Sequence, residues 1–149
     1  MKKIGQYTVR GQSISNTTRR IILFDGRFDT GYVITKFQII TQDPDNSGLD
    51  GYGVLLADEP ATPTSVVWDL NSNVQIGWSS MNNAGSAVGP QSEPFGLVDR
   101  DNLVIEDLYI YCETNAAGAN KLNYYIEMDK YDISEDKGAL AMVRNRSQA

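Results

Sequence analysis

Histidine is absent from all 149 residues, and cysteine occurs once, at Cys112. Without histidine, the chain lacks the commonest general base, the commonest zinc ligand and the usual partner of a nucleophilic Ser or Cys. One cysteine excludes an intrachain disulfide. Inside the strand-like LYIYCE, Cys112 reads as a small buried hydrophobe. No apolar run approaches the roughly 18 residues of a membrane helix. The opening MKKIGQYTVRG has two lysines and no apolar segment after them, which argues against a signal peptide. Positive charge is scarce too: 13 Lys and Arg face 19 Asp and Glu, for a net charge of -6. Nucleic-acid binding needs clustered cations on phosphate, so neither nucleic acid nor a membrane is expected as a partner.

What is present is ordinary for one globular domain: 41% hydrophobic and 21% charged residues. The charge is unevenly spread. Residues 1–20 hold Lys2, Lys3, Arg10, Arg19 and Arg20 with no acid, a charge of +5. Residues 138–149 add Arg144 and Arg146 for +2, which leaves -13 for residues 21–137. Solvated tails explain this simply. A sharper reading makes the two ends basic arms that lie on the acidic body of a neighbouring copy.

Period-two alternation of β-branched and aromatic residues dominates the middle of the chain, broken by Gly, Asn, Asp and Pro clusters. Strands are predicted at RRIILF (19–24), YVITKFQIITQ (32–42), YGVLLA (52–57), SVVWDL (65–70), VQIGWSS (74–80), FGLV (95–98), LVIEDLYIYCE (103–113) and LNYYIEMDKYDI (122–133). YGVLLA is apolar on both faces, as in a central strand. Residues 82–94, NNAGSAVGPQSEP, read as a long loop suited to partner contact. Ser134 begins either a short helix, EDKGALAMVR, or an edge strand at LAMV. About eight strands at 8–12-residue spacing predict an all-β, antiparallel, jelly-roll-like sandwich. The division is a basic arm over 1–18, a sandwich over 19–133 and a C-terminal arm or short helix over 134–149. The predicted core is Ile22, Phe24, Val33, Phe37, Ile39, Val54, Leu56, Trp68, Trp78, Ile105, Tyr109, Tyr124, Ile126 and Met128.

Three constellations could carry chemistry. DPDNSGLDG (43–51) places oxygen side chains where an EF-hand has its first ligands, with Gly48 at the sixth position. The twelfth position is Val54, not a bidentate Glu, and strands flank the loop, so an EF-hand is excluded. A turn-rich hairpin loop is preferred over a looser site on Asp43, Asp45, Ser47 and Asp50. Glu106 and Asp107 are neighbours on one strand and point to opposite faces, so they form no carboxylate dyad. Trp68, Trp78 and the tyrosines serve either a core, an interface or a sugar-stacking face. No catalytic, metal or cofactor residues are therefore assigned, and no enzyme activity is expected.

The pieces IILFDGRFDTGYVITKFQI, LVDRDNLVIEDLYIYCE and the ending YDISEDKGALAMVRNRSQA resemble small virion structural proteins of marine bacteriophages. The resemblance implies a non-enzymatic, self-assembling particle component, located in the virion. At this length an all-β pattern favours a capsid decoration (cement) or minor shell role. Its partners would be copies of itself and other virion proteins. The expected working residues are Lys2, Lys3, Arg10, Arg19, Arg20, Arg144 and Arg146. The alternative is a carbohydrate-binding or receptor-binding sandwich using Trp68 or Trp78.

Overall fold

The structure, a computed structural model, describes residues 2–27, 29–43, 49–60, 67–84, 91–92, 94–115 and 121–134. These form nine strands: β1 (Lys2–Ile14), β2 (Thr17–Ile22), β3 (Thr30–Thr41), β4 (Asp50–Leu56), β5 (Gln75–Ala84), β6 (Gln91–Ser92), β7 (Phe95–Val98), β8 (Asp107–Thr114) and β9 (Lys121–Asp132). One sheet runs β1-β9-β3. The other runs β2-β8-β4-β5, with β7 and the short β6 pairing different stretches of β5. All pairings are antiparallel.

The order follows from folding the chain as one long hairpin and rolling it up. β1 pairs with β9, β2 with β8 and β4 with β5. The fourth pair of the roll is the seam between β3 and the 95–104 segment. There Tyr32 and Val104 exchange backbone hydrogen bonds of 2.8 Å, and the Arg100 guanidinium donates to Thr35 O at 3.2 Å. This nesting is the jelly roll, an antiparallel double-sheet sandwich.

Alternation puts one face of each strand into the core. On the first sheet, Val9, Ile126 and Phe37 lie in one cross-strand row and Gly11, Tyr124 and Ile39 in another. They meet Leu55, Leu108, Ile110 and Cys112 of the second sheet in one buried cluster. The Ser79 hydroxyl stitches the layers: it accepts from the Ile39 N–H at 2.9 Å and donates to Phe95 O at 2.8 Å. The second sheet is buried on both sides. Its outer face holds a separate cluster of Val54, Leu56, Trp78 and Tyr111. β4 lies between β8 and β5, which is why YGVLLA is apolar on both faces.

Several expectations are corrected. Residues 2–14 are not an arm. They form β1, in register with β9 from Lys2↔Asp132 to Ile14↔Lys121. The alternation is hard to read there because β1 is an edge strand, exposed along most of its length, with two glycines and a bulge after Lys3. The sandwich therefore includes residues assigned to the 1–18 arm. SVVWDL yields no strand over its described residues 67–70. LVIEDLYIYCE contributes a strand only from Asp107, with Val104 in an isolated bridge.

In the core, Ile22 is 71% exposed because Ile21 takes the inward position on β2, and Trp68 is 37% exposed. Phe24, Ile105 and Tyr109 are only partly buried. A bulge between Ile34 and Lys36 flips the phase of β3, so Ile34 joins Phe37 and Ile39 in the main cluster. Val33 instead packs with Leu103 and Ile133. The 82–94 stretch is partly strand, since β5 extends to Ala84 and pairs β6. Residues 85–90 and 93, residues 44–48 of the 43–51 loop, and the expected C-terminal segment 135–149 with Arg144 and Arg146 lie outside the described residues.

Candidate interaction surfaces

β1 and β2 end their respective sheets on the same side of the sandwich, so residues 2–22 build one whole lateral edge. The chain crosses between the sheets at Ser15 and Asn16, and Asn16 adopts a left-handed φ of 62°, which Asn tolerates better than most residues. The corner is tied down by Asn16 N–H donating to Cys112 O at 2.9 Å and Thr114 N–H donating to Ser15 Oγ at 3.0 Å.

This edge carries all five cations expected of the N-terminal arm, and three of them are held by their own subunit. Lys3 pairs with Asp129 at 3.1 Å. Arg20 forms an ion pair with Asp107, which holds its guanidinium pKa above the ordinary value. Arg19 lies over the Tyr124 ring at 6.0 Å and donates to Gln12 O, closing the seam between β1 and β2. Lys2 and Arg10 project to solvent. A groove of about 570 Å³ opens along the corner, lined by Ser13, Ile14, Thr17, Arg19 and Lys121 among others. Four large apolar residues are exposed on the same edge: Ile4, Tyr7, Ile14 and Ile22.

The opposite lateral side is built by β5 and β7, and the segment 67–72 lies next to it over the outer face of the second sheet. Gln75 anchors that segment: its amide donates to Val67 O at 2.8 Å, and its Oε1 accepts from Asp69 N–H at 2.8 Å and from Trp78 Nε1–H at 2.9 Å. Trp68 Nε1–H donates to Gly53 O at 3.2 Å, and its ring packs on Phe95 with centroids 5.8 Å apart. Held this way, Val67, Trp68, Leu70, Phe95 and Leu97 remain exposed. The acids beside them are Asp69, Asp99 and Asp101, with Arg100 turned back onto Thr35 O.

Between the two sides, the outer face of the second sheet has Tyr52 donating to Glu113 Oε2 at 2.5 Å and Tyr111 donating to the same oxygen at 3.3 Å. Burial, reinforced by the Glu113 charge, pushes the Tyr111 phenol up to about 12 and raises Tyr52 as well. Both stay neutral hydrogen-bond donors at physiological pH. A cleft of about 450 Å³ lies beside them, lined by Tyr52, Ser80, Asn82, Asp50 and Glu113 among others. Trp78 is buried and its indole N–H is engaged, so it offers no stacking platform; Trp68 does. Tyr109 and Tyr111 sit on β8 while Tyr124, Tyr125 and Tyr131 sit on β9, and the two strands lie in different sheets. Their tyrosines therefore form no continuous row.

Cys112 is fully buried, and burial pushes its thiol up to about 12, so it is an inert core residue. Among the described residues, no three Cys, Asp or Glu side chains group closely enough to hold a metal ion, and no helix is long and apolar enough to cross a membrane. At the described end of the 43–51 loop, Asp50 N–H donates to Asn115 Oδ1 at 2.8 Å and Asp50 O accepts from Thr114 Oγ1 at 2.7 Å. Sequence reading missed the apolar side at 67–70 and 95–97, since exposure depends on what the fold leaves uncovered. No protein-family model matches the chain, and no curated protein matches it in sequence.

Proposed function

We propose that this chain is a non-enzymatic structural protein of a virus particle, a capsid decoration or minor shell component that self-assembles and stabilises the particle. The observation that carries this reading is a jelly-roll body with exposed apolar residues clustered around the Trp68–Phe95 contact and others along the β1–β2 edge. Jelly rolls build viral shells as well as lectins. Apolar residues gathered on a surface mark contact regions, whereas the same residues scattered singly need no explanation. The resemblance to virion proteins supports the same reading. The N-terminal cations act in it as part of a rigid edge, not as a flexible arm. The test is a protein inventory, by mass spectrometry, of purified virus particles from lysates of the source. The chain should be present in many copies per particle. Particles that lack it refute the proposal.

One observation favours a second reading. Trp68 is exposed, is braced by Phe95 and Tyr52, and lies on the same outer face as the Glu113 cleft. An aromatic platform near polar side chains suits a sugar ring. A glycan array with the wild-type chain and Trp68→Ala decides it: specific hits lost in the variant support this reading, and no hits dismiss it.

A further inference from the structure

Ten large apolar side chains are exposed among the described residues, and nine of them fall into two groups. Ile4, Tyr7, Ile14 and Ile22 lie on the β1–β2 edge. Val67, Trp68, Leu70, Phe95 and Leu97 lie on the far side, around β7. The charges at their rims are opposite. The first edge has Lys2, Arg10 and Lys121, with Lys3 and Arg20 paired to their own acids, Arg19 turned onto Gln12 O and Lys2 in register with Asp132. The second has Asp69, Asp99 and Asp101, with Arg100 held against Thr35 O.

We propose that the β1–β2 edge of one copy docks on the β7 side of the next copy, a head-to-tail contact between two different surfaces. This rests on the self-assembling reading above and names the partner of its basic edge. Charge selects the geometry. β1 has one strand partner among the described residues, and although β2 side chains take the Gln12 and Ile14 carbonyls, the stretch of its other edge before them is open to a second chain. A two-fold pairing of β1 with β1 would set two strands that each carry cations and no acid against one another, and like charges across a contact are costly. Head-to-tail docking instead sets cations against acids and covers both apolar groups at once. Because the two surfaces lie on opposite sides of one rigid sandwich, the contact repeats. It closes into a ring or continues as a filament, according to the rotation per step.

The experiment uses the full chain and two surface variants, each checked for an unchanged fold by circular dichroism. One blunts the basic edge (Lys2→Glu with Arg10→Glu). The other blunts the apolar side (Leu70→Lys with Leu97→Lys). Analytical ultracentrifugation of wild type should show concentration-dependent assembly beyond a dimer, weakened by raised salt. Each variant alone should lose association by about tenfold or more. Mixed one to one, they should form a pair that stops at two subunits, since only one intact edge meets one intact side. A Leu70→Lys/Leu97→Lys variant that still dimerises alone establishes β1–β1 pairing and overturns the proposal, as does a wild type that stays monomeric. Presence of the chain in purified particles would survive either result, so the two failures are distinguishable.

Discussion

Gly96 is the residue on which the closing of the roll depends. β7 pairs with β5 from Gly77↔Val98 to Ser80↔Phe95 while its other side lies against β3. A Cβ at Gly96 would come within 2.5 Å of the Phe37 carbonyl oxygen and 3.4 Å of Gln38 Oε1. The first is a backbone atom of a residue 2% exposed in the middle of the core, so it cannot swing aside. Gly96→Ala must therefore push β7 away from β3. Overpacking of this kind costs about 1–3 kcal/mol, or about 2–12 °C in Tm for a domain of this size. The lower chain entropy of the unfolded state offsets about 0.4–1 kcal/mol, and because the clash is with backbone the cost falls at the upper end of the range, so a net loss of about 2 kcal/mol is expected. The assay is urea unfolding with the slope compared between proteins, so that a shifted midpoint at constant slope reports stability alone. Gly5→Ala is the control. The atoms nearest its Cβ would be those of the Tyr7 ring, at 2.9 Å, and that ring is a half-exposed side chain, not backbone. Its midpoint should stay within about 0.5 kcal/mol of wild type. A neutral or stabilising Gly96→Ala refutes the close approach of β7 to β3, and with it the fourth pair of the jelly roll.

Deleting residues 1–18 should damage the fold. β1 and β9 share twelve register positions, and their hydrogen bonds at about 0.5–1.5 kcal/mol each give a loss of more than about 3 kcal/mol; a truncated chain that melts like wild type would show that β1 is dispensable. The Cys112 thiol should resist a thiol reagent at mildly alkaline pH until denaturant is added, and rapid labelling of the native chain contradicts its burial. The Lys130 ammonium, donating to Asp25 at 2.7 Å, holds the Asp25 carboxyl below the ordinary carboxylate value. A depressed folded pKa stabilises the native state in full above the unfolded value and loses that contribution as pH falls through the folded one. Lys130→Met should therefore lower the urea midpoint at neutral pH and narrow its gap to wild type as the solution is acidified through the carboxylate range; an unchanged gap rejects the link.

The architecture was largely legible because alternation is a local signal. FGLV matches β7 residue for residue, and YGVLLA and LNYYIEMDKYDI match β4 and β9 within two residues. Legibility failed where a strand lacks a buried face. β1 is exposed along most of its length, so nothing in its pattern separates it from a solvated basic tail. It failed again where one residue shifts the phase, as the β3 bulge does to Val33 and Ile34, because a bulge leaves no compositional mark. Trp68 looked like core because tryptophan in an apolar hexapeptide usually is.

Composition and charge order by themselves determined several properties: an all-β body, a thiol that cannot pair within the chain, no histidine chemistry, and a positive start on a negative molecule. Tertiary structure alone decided what the positive start is. It made those residues a structural edge, satisfied Lys3 and Arg20 internally, and set them across the sandwich from an exposed apolar side built by residues 67–70 and β7. The reason is physical. Periodicity reports which face of a strand is buried, but which surfaces remain uncovered depends on partners far away in sequence, and only the folded chain brings those together.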